Sequence, residues 1–217
     1  MAAITDYHSL QDAVTQYLVN TDEAGMFDTF LGLAENRFNR ELRISEMVGS
    51  DKTSASSTSA TFDLGDDFIE AVAVYSTTDT TALSYLPPNK FFNLKSAHGS
   101  PVGKPEYYTI IGNTMHFAPY GTAATVTVVP YVELSGLTSS NTTNSIMPKA
   151  ANLYLYGVLL AAQPFLNEPG RIQEFESFYD RAKSALIAAD SRKRLRPGVG
   201  QRMRSSGVTA DGVFRLP

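Results

Sequence analysis

The chain has 217 residues, with 18 Lys and Arg against 22 Asp and Glu, three His, and neither Cys nor Trp. At roughly 150 residues per domain, this length predicts one domain, or one domain carrying an insertion. A chain of this size buries about 70% of its extended surface, so no metal or disulfide staple is needed. The absence of cysteine excludes a thiolate zinc site, an iron–sulfur cluster, a disulfide framework and a cysteine nucleophile.

Charged residues make up 18% and apolar ones 43%, a composition that fits a globular protein and not a disordered one. The opening MAAITDYHSL lacks the basic and apolar regions of a secretory signal. The longest apolar stretch, Leu153 to Leu166, is interrupted by Gln163 and Pro164 and is shorter than the ~18 residues that span a bilayer. A soluble protein made in the cytoplasm is expected. The net charge of −4 conceals an asymmetry: from Ser191 onward there are seven basic residues and one acid, while the other 190 residues carry 11 basic and 21 acidic groups. A tail at +6 on a body at −10 marks the tail as a contact element.

In chain order, Ser9 followed by Asp12 resembles a capping pair, and Leu10, Val14, Tyr17 and Leu18 repeat at helical spacing. Asn20 or Thr21 caps a second helix with Asp22 and Glu23 in its first turn, where the helix dipole favours acids. Its apolar stripe is Phe27, Phe30, Leu31, Ala34, Phe38 and Leu42, and the pair of helices ends near Arg43. Ser50 to Thr61 is too polar for a core element. The period then changes. FDLGDDFIEAVAVYS, TALSYL, EYYTIIG, TMHFAP and ATVTVVPYVEL are short, rich in β-branched and aromatic residues, and bounded by turn formers, which predicts several strands. Gly112-Asn113 reads as a tight hairpin turn, and Pro88 to Ala97 as a short helix between strands.

Thr138–Ser145 reads as an exposed loop, after which Pro148 opens a third helix at a position that needs no amide hydrogen. Residues Leu153 to Leu160 are apolar on nearly every face, the mark of a helix buried all round in a core or a subunit interface. Pro164 disrupts it, and Asn167-Glu168-Pro169 starts a fourth. That helix carries Ile172, Phe175, Tyr179, Ala182, Leu186 and Ala189, widened by Phe178 and Ala185, and ends in RKRLR, which suits the negative end of its dipole. Past Pro197 the Gly-containing tail has little periodicity and is expected to be flexible alone.

Motifs for chemistry are sparse. His8, His98 and His116 stand at no metal-ligand spacing, and no GxSxG elbow occurs. Gly99-Ser-Pro-Val-Gly103-Lys104 is one residue short of a phosphate loop, with Pro105 where a magnesium-binding hydroxyl belongs, and reads as a turn. Glu35, Glu41, Asp66, Asp67 and Glu70 could supply the carboxylate pair of a glycosidase, although surface acids usually serve solvation. The tail is a solvated end or a docking arm. Its arginines suit carboxylates or phosphates, and an ending in Val213-Phe214-Arg215-Leu216 favours a protein partner over nucleic acid.

Several stretches carry a resemblance. LGLAENRFNRELR (31–43), DDFIEAVAVY (66–75), KPEYYTIIGNTMHFAPYG (104–121), VTVVPYVELSGLT (126–138), the Pro-led LYLYGVLLAAQPFLNEP (153–169) and a long final helix with Asp190 and basic residues follow one another in order. Together they resemble the head-to-tail adaptor proteins (tail accessory, head-completion or portal-binding connector proteins) of short-tailed bacteriophages. The resemblance implies an α+β fold: a helical bundle core of about four helices, an inserted β-rich domain and an extended basic C-terminal arm. It also implies a twelve-subunit ring under the portal protein at the head–tail junction of the virion, seating the next tail (nozzle or tail-tube) protein and continuing the DNA channel, with double-stranded DNA passing without sequence-specific binding and no membrane partner.

The expected division is 1–49 for the N-terminal core helices, 50–147 for the β-rich insertion, 148–196 for the C-terminal core helices and 197–217 for the arm. No catalytic, metal or cofactor residues are assigned and no cofactor is expected. The expected portal-binding arm comprises Arg192, Lys193, Arg194, Arg196, Arg202, Met203, Arg204, Val213, Phe214, Arg215 and Leu216. Asp66, Asp67, Glu70 and Glu133 are candidates for an acidic channel wall. The rival readings are a tail-associated peptidoglycan hydrolase and a DNA-binding module using the basic tail.

Overall fold

The computed structural model describes residues 3–18, 25–54, 61–77, 81–97, 102–121, 125–166 and 171–194. Five α-helices are seen among them: α1 (Tyr7–Tyr17), α2 (Phe27–Glu41), α3 (Pro88–Ala97), α4 (Ala151–Leu166) and α5 (Ile172–Arg194). The first begins at a capping box. Asp6, not Ser9, is the cap: it accepts the Ser9 amide at 2.8 Å, while the Ser9 hydroxyl accepts the Asp6 amide at 3.0 Å. Ser9 is thus the third helical residue, and the box lies one turn before the expected Ser9–Asp12 pair. For α2, the cap position is Met26, which makes no side-chain capping bond; the expected caps Asn20 and Thr21 lie outside the described residues.

The expected α2 stripe is buried at all six positions, Phe27, Phe30, Leu31, Ala34, Phe38 and Leu42. It packs against α4, which also touches α1 and α5. The central helix is therefore α4, and most of its apolar surface is covered by its own chain, with Tyr156 and Leu160 half-buried and Phe165 48% exposed. Two proline expectations are corrected. Pro148 lies in a turn, where the Ile146 carbonyl accepts the Lys149 and Ala150 amides, and α4 starts three residues later. Pro164 sits inside α4 without ending it, at the loss of one amide donor to the preceding turn. Gly157 marks a close approach of α4 to α2, since a Cβ there would stand 2.7 Å from the Phe38 ring. No helix among the described residues is long and apolar enough to cross a membrane.

Between α2 and α4 lies the β-rich block. Its strands are β1 (Lys52–Ser54), β2 (Thr61–Asp63), β3 (Phe68–Ser76), β4 (Thr81–Ala82), β5 (Ser84–Tyr85), β6 (Val102–Gly103), β7 (Tyr107–Ile111), β8 (Thr114–Ala118), β9 (Tyr120–Gly121) and β10 (Val126–Val132). One sheet runs β1-β10-β3-β4 and the other β2-β8-β7-β5, with β6 and β9 as a separate parallel pair. The predicted hairpin is present: β7 and β8 pair antiparallel around Gly112-Asn113, with Gly112 at φ 59°.

Two stretches that read as continuous in sequence are broken in the fold. Gly65, at φ 82° and braced by the Asp63 carboxylate, separates β2 from β3 and carries the chain from one sheet to the other. Leu83 does the same between β4 and β5. Leu64 and Leu83, the crossover residues, are buried with Val74, Val126 and Val128 of the first sheet and Met115 and Phe117 of the second, so the two sheets share one core.

The long strand β10 belongs to both parts of the molecule. Its first half faces the β core through Val126 and Val128. Beyond an irregularity at Val129/Pro130, Tyr131 joins the helical core. A proline is accommodated there because the strand is already irregular, and its carbonyl is still used, accepting the Gly49 amide at 2.9 Å.

Candidate functional site

The C-terminal end of α5 is where the basic tail leaves the body, and a polar network surrounds it. Its stripe buries Phe175, Tyr179, Ala182 and Leu186 as expected, but the last buried position is Asp190; Ala189, Ala185 and Ile172 are exposed. Four residues after Leu186, Asp190 falls on the same face, so an acid is carried into the core edge by helical geometry. Its Oδ1 accepts the Ser45 amide at 2.9 Å and the Ser45 hydroxyl at 2.5 Å, and its Oδ2 faces Arg194 Nε at 2.8 Å. Arg194 also donates to the Tyr131 hydroxyl at 3.0 Å.

Beside it, Glu46 lies in the short 3-10 turn Ser45–Met47 with its side chain only 9% exposed. It pairs with Lys149 at 2.7 Å and Lys193 at 3.1 Å. Burial would raise its carboxyl, but the hydrogen bonds from the two lysines outweigh burial and hold it at about 2. Next to these residues a groove of about 400 Å³ runs along the start of α4 and the last turns of α5, floored by Ala150, Ala182, Ala185, Leu186 and Ala189.

Of the expected arm residues, the structure describes Arg192, Lys193 and Arg194, all in the last turn of α5. Lys193 and Arg194 are turned onto the body by the pairs just given. Arg192 is exposed and makes no ion pair with another described residue. Arg196, Arg202, Met203, Arg204, Val213, Phe214, Arg215 and Leu216 lie outside the described residues.

A second network joins α2 to α5. Glu41 accepts from Arg37 at 2.7 Å, Lys183 at 2.9 Å and the Tyr179 hydroxyl at 3.0 Å, and Arg37 lies 4.2 Å above the Tyr179 ring. Burial opposes ionisation of Glu41, yet the Lys183 and Arg37 hydrogen bonds keep it at about 2. The same surroundings push the Tyr179 hydroxyl up, through burial first and then through Glu41.

The acids considered for a carboxylate pair are dispersed over separate ties. Glu35 accepts the Leu137 amide at 2.9 Å and is raised by burial. Asp67 pairs with Lys52, Glu70 with Arg43, and Asp66 lies 3.5 Å from the Asn113 amide nitrogen. Glu133, another channel-wall candidate, is exposed, and its amide donates to the Asp67 carbonyl. His8 is exposed beside the Tyr7 ring, and His116 stacks edge-on with Phe92, its pKa lowered by burial and then by Lys95. His98 lies outside the described residues. No group of three or more metal-ligating side chains occurs among the described residues.

Sequence reasoning named Asp190 only within the family-like final helix and missed Ser45, Glu46, Tyr131 and Lys149 altogether. A signal for Asp190 was present, since an acid in register with an apolar stripe demands a buried partner. Nothing local marked its partners, because Ser45 is 145 residues away in sequence.

No curated protein matches the chain. Residues 5–204 match the sequence model of the SU10 adaptor protein family. That span takes in the helical core, the β block and the polar network at the end of α5. It agrees with the adaptor resemblance carried by the sequence motifs, and the chain belongs to the SU10 adaptor protein family, the phage adaptors.

Proposed function

We propose that this chain is the subunit of a ring, of twelve copies in our reading, that sits beneath the portal protein of a phage virion. It joins the head to the next tail component and continues the channel through which DNA leaves. Its role is structural, without a cofactor. Residues 1–49 and 148–196 form the core helices, 50–147 the β-rich insertion and 197–217 the arm that grips the portal. The observation that carries this reading is the end of α5: a helix terminus tied into the core by Asp190, Arg194 and Lys193, from which a basic segment with apolar residues continues. A firm root followed by a cationic chain suits an acidic crevice on another protein, and repetition around a ring multiplies weak contacts. The body at −10 supports an acidic channel wall that repels phosphates.

The test is truncation after Leu195, mixed with portal rings and followed by sedimentation. The truncated protein is expected to remain folded and to fail to attach. Attachment at undiminished affinity would remove the arm from the mechanism, and loss of folding would assign the tail to the core.

A further inference from the structure

We infer that Asp190 is a positioning residue for the arm: it fixes the last turn of α5 against the Ser45–Met47 turn and β10, so that the end of the helix is held in one place. This rests on the reading of the arm as the portal-gripping element. Asp190 is a carboxylate in the last turns of a helix, where the dipole already presents negative charge, and its side chain is 6% exposed. Lysine or arginine would suit that end of the helix, and an apolar residue would continue the stripe. A buried acid, even a paired one, is seldom the more stabilising choice.

What the acid provides is position. A carboxylate has two oxygens, and here each takes a different partner. Oδ1 holds the turn after α2 through both the amide and the hydroxyl of Ser45, and Oδ2 holds Arg194, which reaches on to Tyr131 of β10. Lys193, between them, crosses to Glu46 of the same turn. Helix ends normally fray, because their last carbonyls have no partners. Here two elements distant in sequence, the Ser45–Met47 turn and β10, hold the final turn, immediately before the segment proposed to bind. Ordering the helix end in advance spares that part of the entropy loss on docking, which is how preorganisation raises affinity.

The experiment uses the full chain, whose lack of native cysteine allows clean labelling. Spin labels at Asn36→Cys on α2 and Ser191→Cys on α5 report the distance from the core to the helix end. The unsubstituted background should give one narrow distance, and Asp190→Asn a broad distribution. Portal affinity should fall about tenfold, the size of one coupled contact. Ser45→Ala should broaden the distance as well and Ser45→Thr restore it, which general loss of stability would not predict. If Asp190→Asn does not fold, Arg194→Gln, at a half-exposed side chain, breaks the Oδ2 link and the Tyr131 contact while leaving the Ser45 bonds in place. An unchanged narrow distance in the folded variants overturns the positioning role. Broadening with undiminished portal affinity supports positioning and instead overturns the arm as the gripping element.

Discussion

The helical core and the β block differ in how far along the chain their partners lie. In the helical core, α2 packs on α4 across more than a hundred residues, and Ser45 meets Asp190 at the far end of the same bundle. Among the described residues, the buried set there numbers 28, drawn from both halves of the sequence. The β core has seven among them, all between Leu64 and Val128. One part is a large core of whole helices; the other is a small core closed at the two sheet crossovers by Leu64 and Leu83. The difference predicts unequal roles: the helical core sets global stability, and the β block is a satellite that opens on its own.

The largest expected effect follows directly. Leu159, 1% exposed on α4, should lose about 2–5 kcal/mol on substitution by Ala, and Leu159→Asp should not fold or assemble. Leu64→Ala removes a side chain as deeply buried, but native-state hydrogen exchange should then show faster opening of β2, β3 and β8 with protection retained in α2 and α4. Equal loss of protection in the helices would mean that the two cores unfold as one.

A smaller effect is expected at Gly157. Alanine there gains helix propensity, yet its methyl would meet Phe38, which is wedged edge-on against Tyr154 and stacked near Tyr179. With the ring unable to retreat, overpacking wins, and Gly157→Ala should lower stability by about 1–3 kcal/mol in denaturant unfolding. A stabilised variant would show that α2 and α4 separate more easily than their packing implies.

The smallest is a change in slope. Glu46 and Glu41 titrate at about 2 in the folded chain against an ordinary 4.5, so both contribute stability above the ordinary value and lose it as pH falls from about 5 towards 2. Glu46→Gln should flatten part of that decline in melting temperature while leaving the β-block exchange pattern alone. An unaltered slope would place the acid sensitivity elsewhere.

How much of this was legible in the sequence follows the same division. The α2 stripe and most of α5 were readable because helical periodicity is local, and the Gly112-Asn113 hairpin because its turn chemistry is. Errors arose where a residue answers to something distant. Ala189 was expected to continue the stripe, but the face turns towards Ser45 and selects Asp190. Gly65 and Leu83 break stretches that look continuous, because the second sheet offers each half its own partner. Pro148 fits a helix start by local rule, yet the Ile146 carbonyl closes a turn there first. Of the site, the basic residues were visible as charge, and Asp190 as an acid in register with the stripe four residues before Arg194; Ser45 and Glu46, which hold Asp190 and Lys193, belong to a segment no local pattern connects to the tail.

The placement of the β block between α2 and α4 also bears on how the chain is made. As it leaves the ribosome, α1 and α2 emerge with their apolar faces exposed, and the helix that covers them follows roughly a hundred residues later. At about 5–20 residues per second, those faces wait several seconds or more for α4. The small core of the β block can close meanwhile, since its buried members among the described residues all lie between Leu64 and Val128. Until α4 arrives, those exposed faces are where copies would associate wrongly.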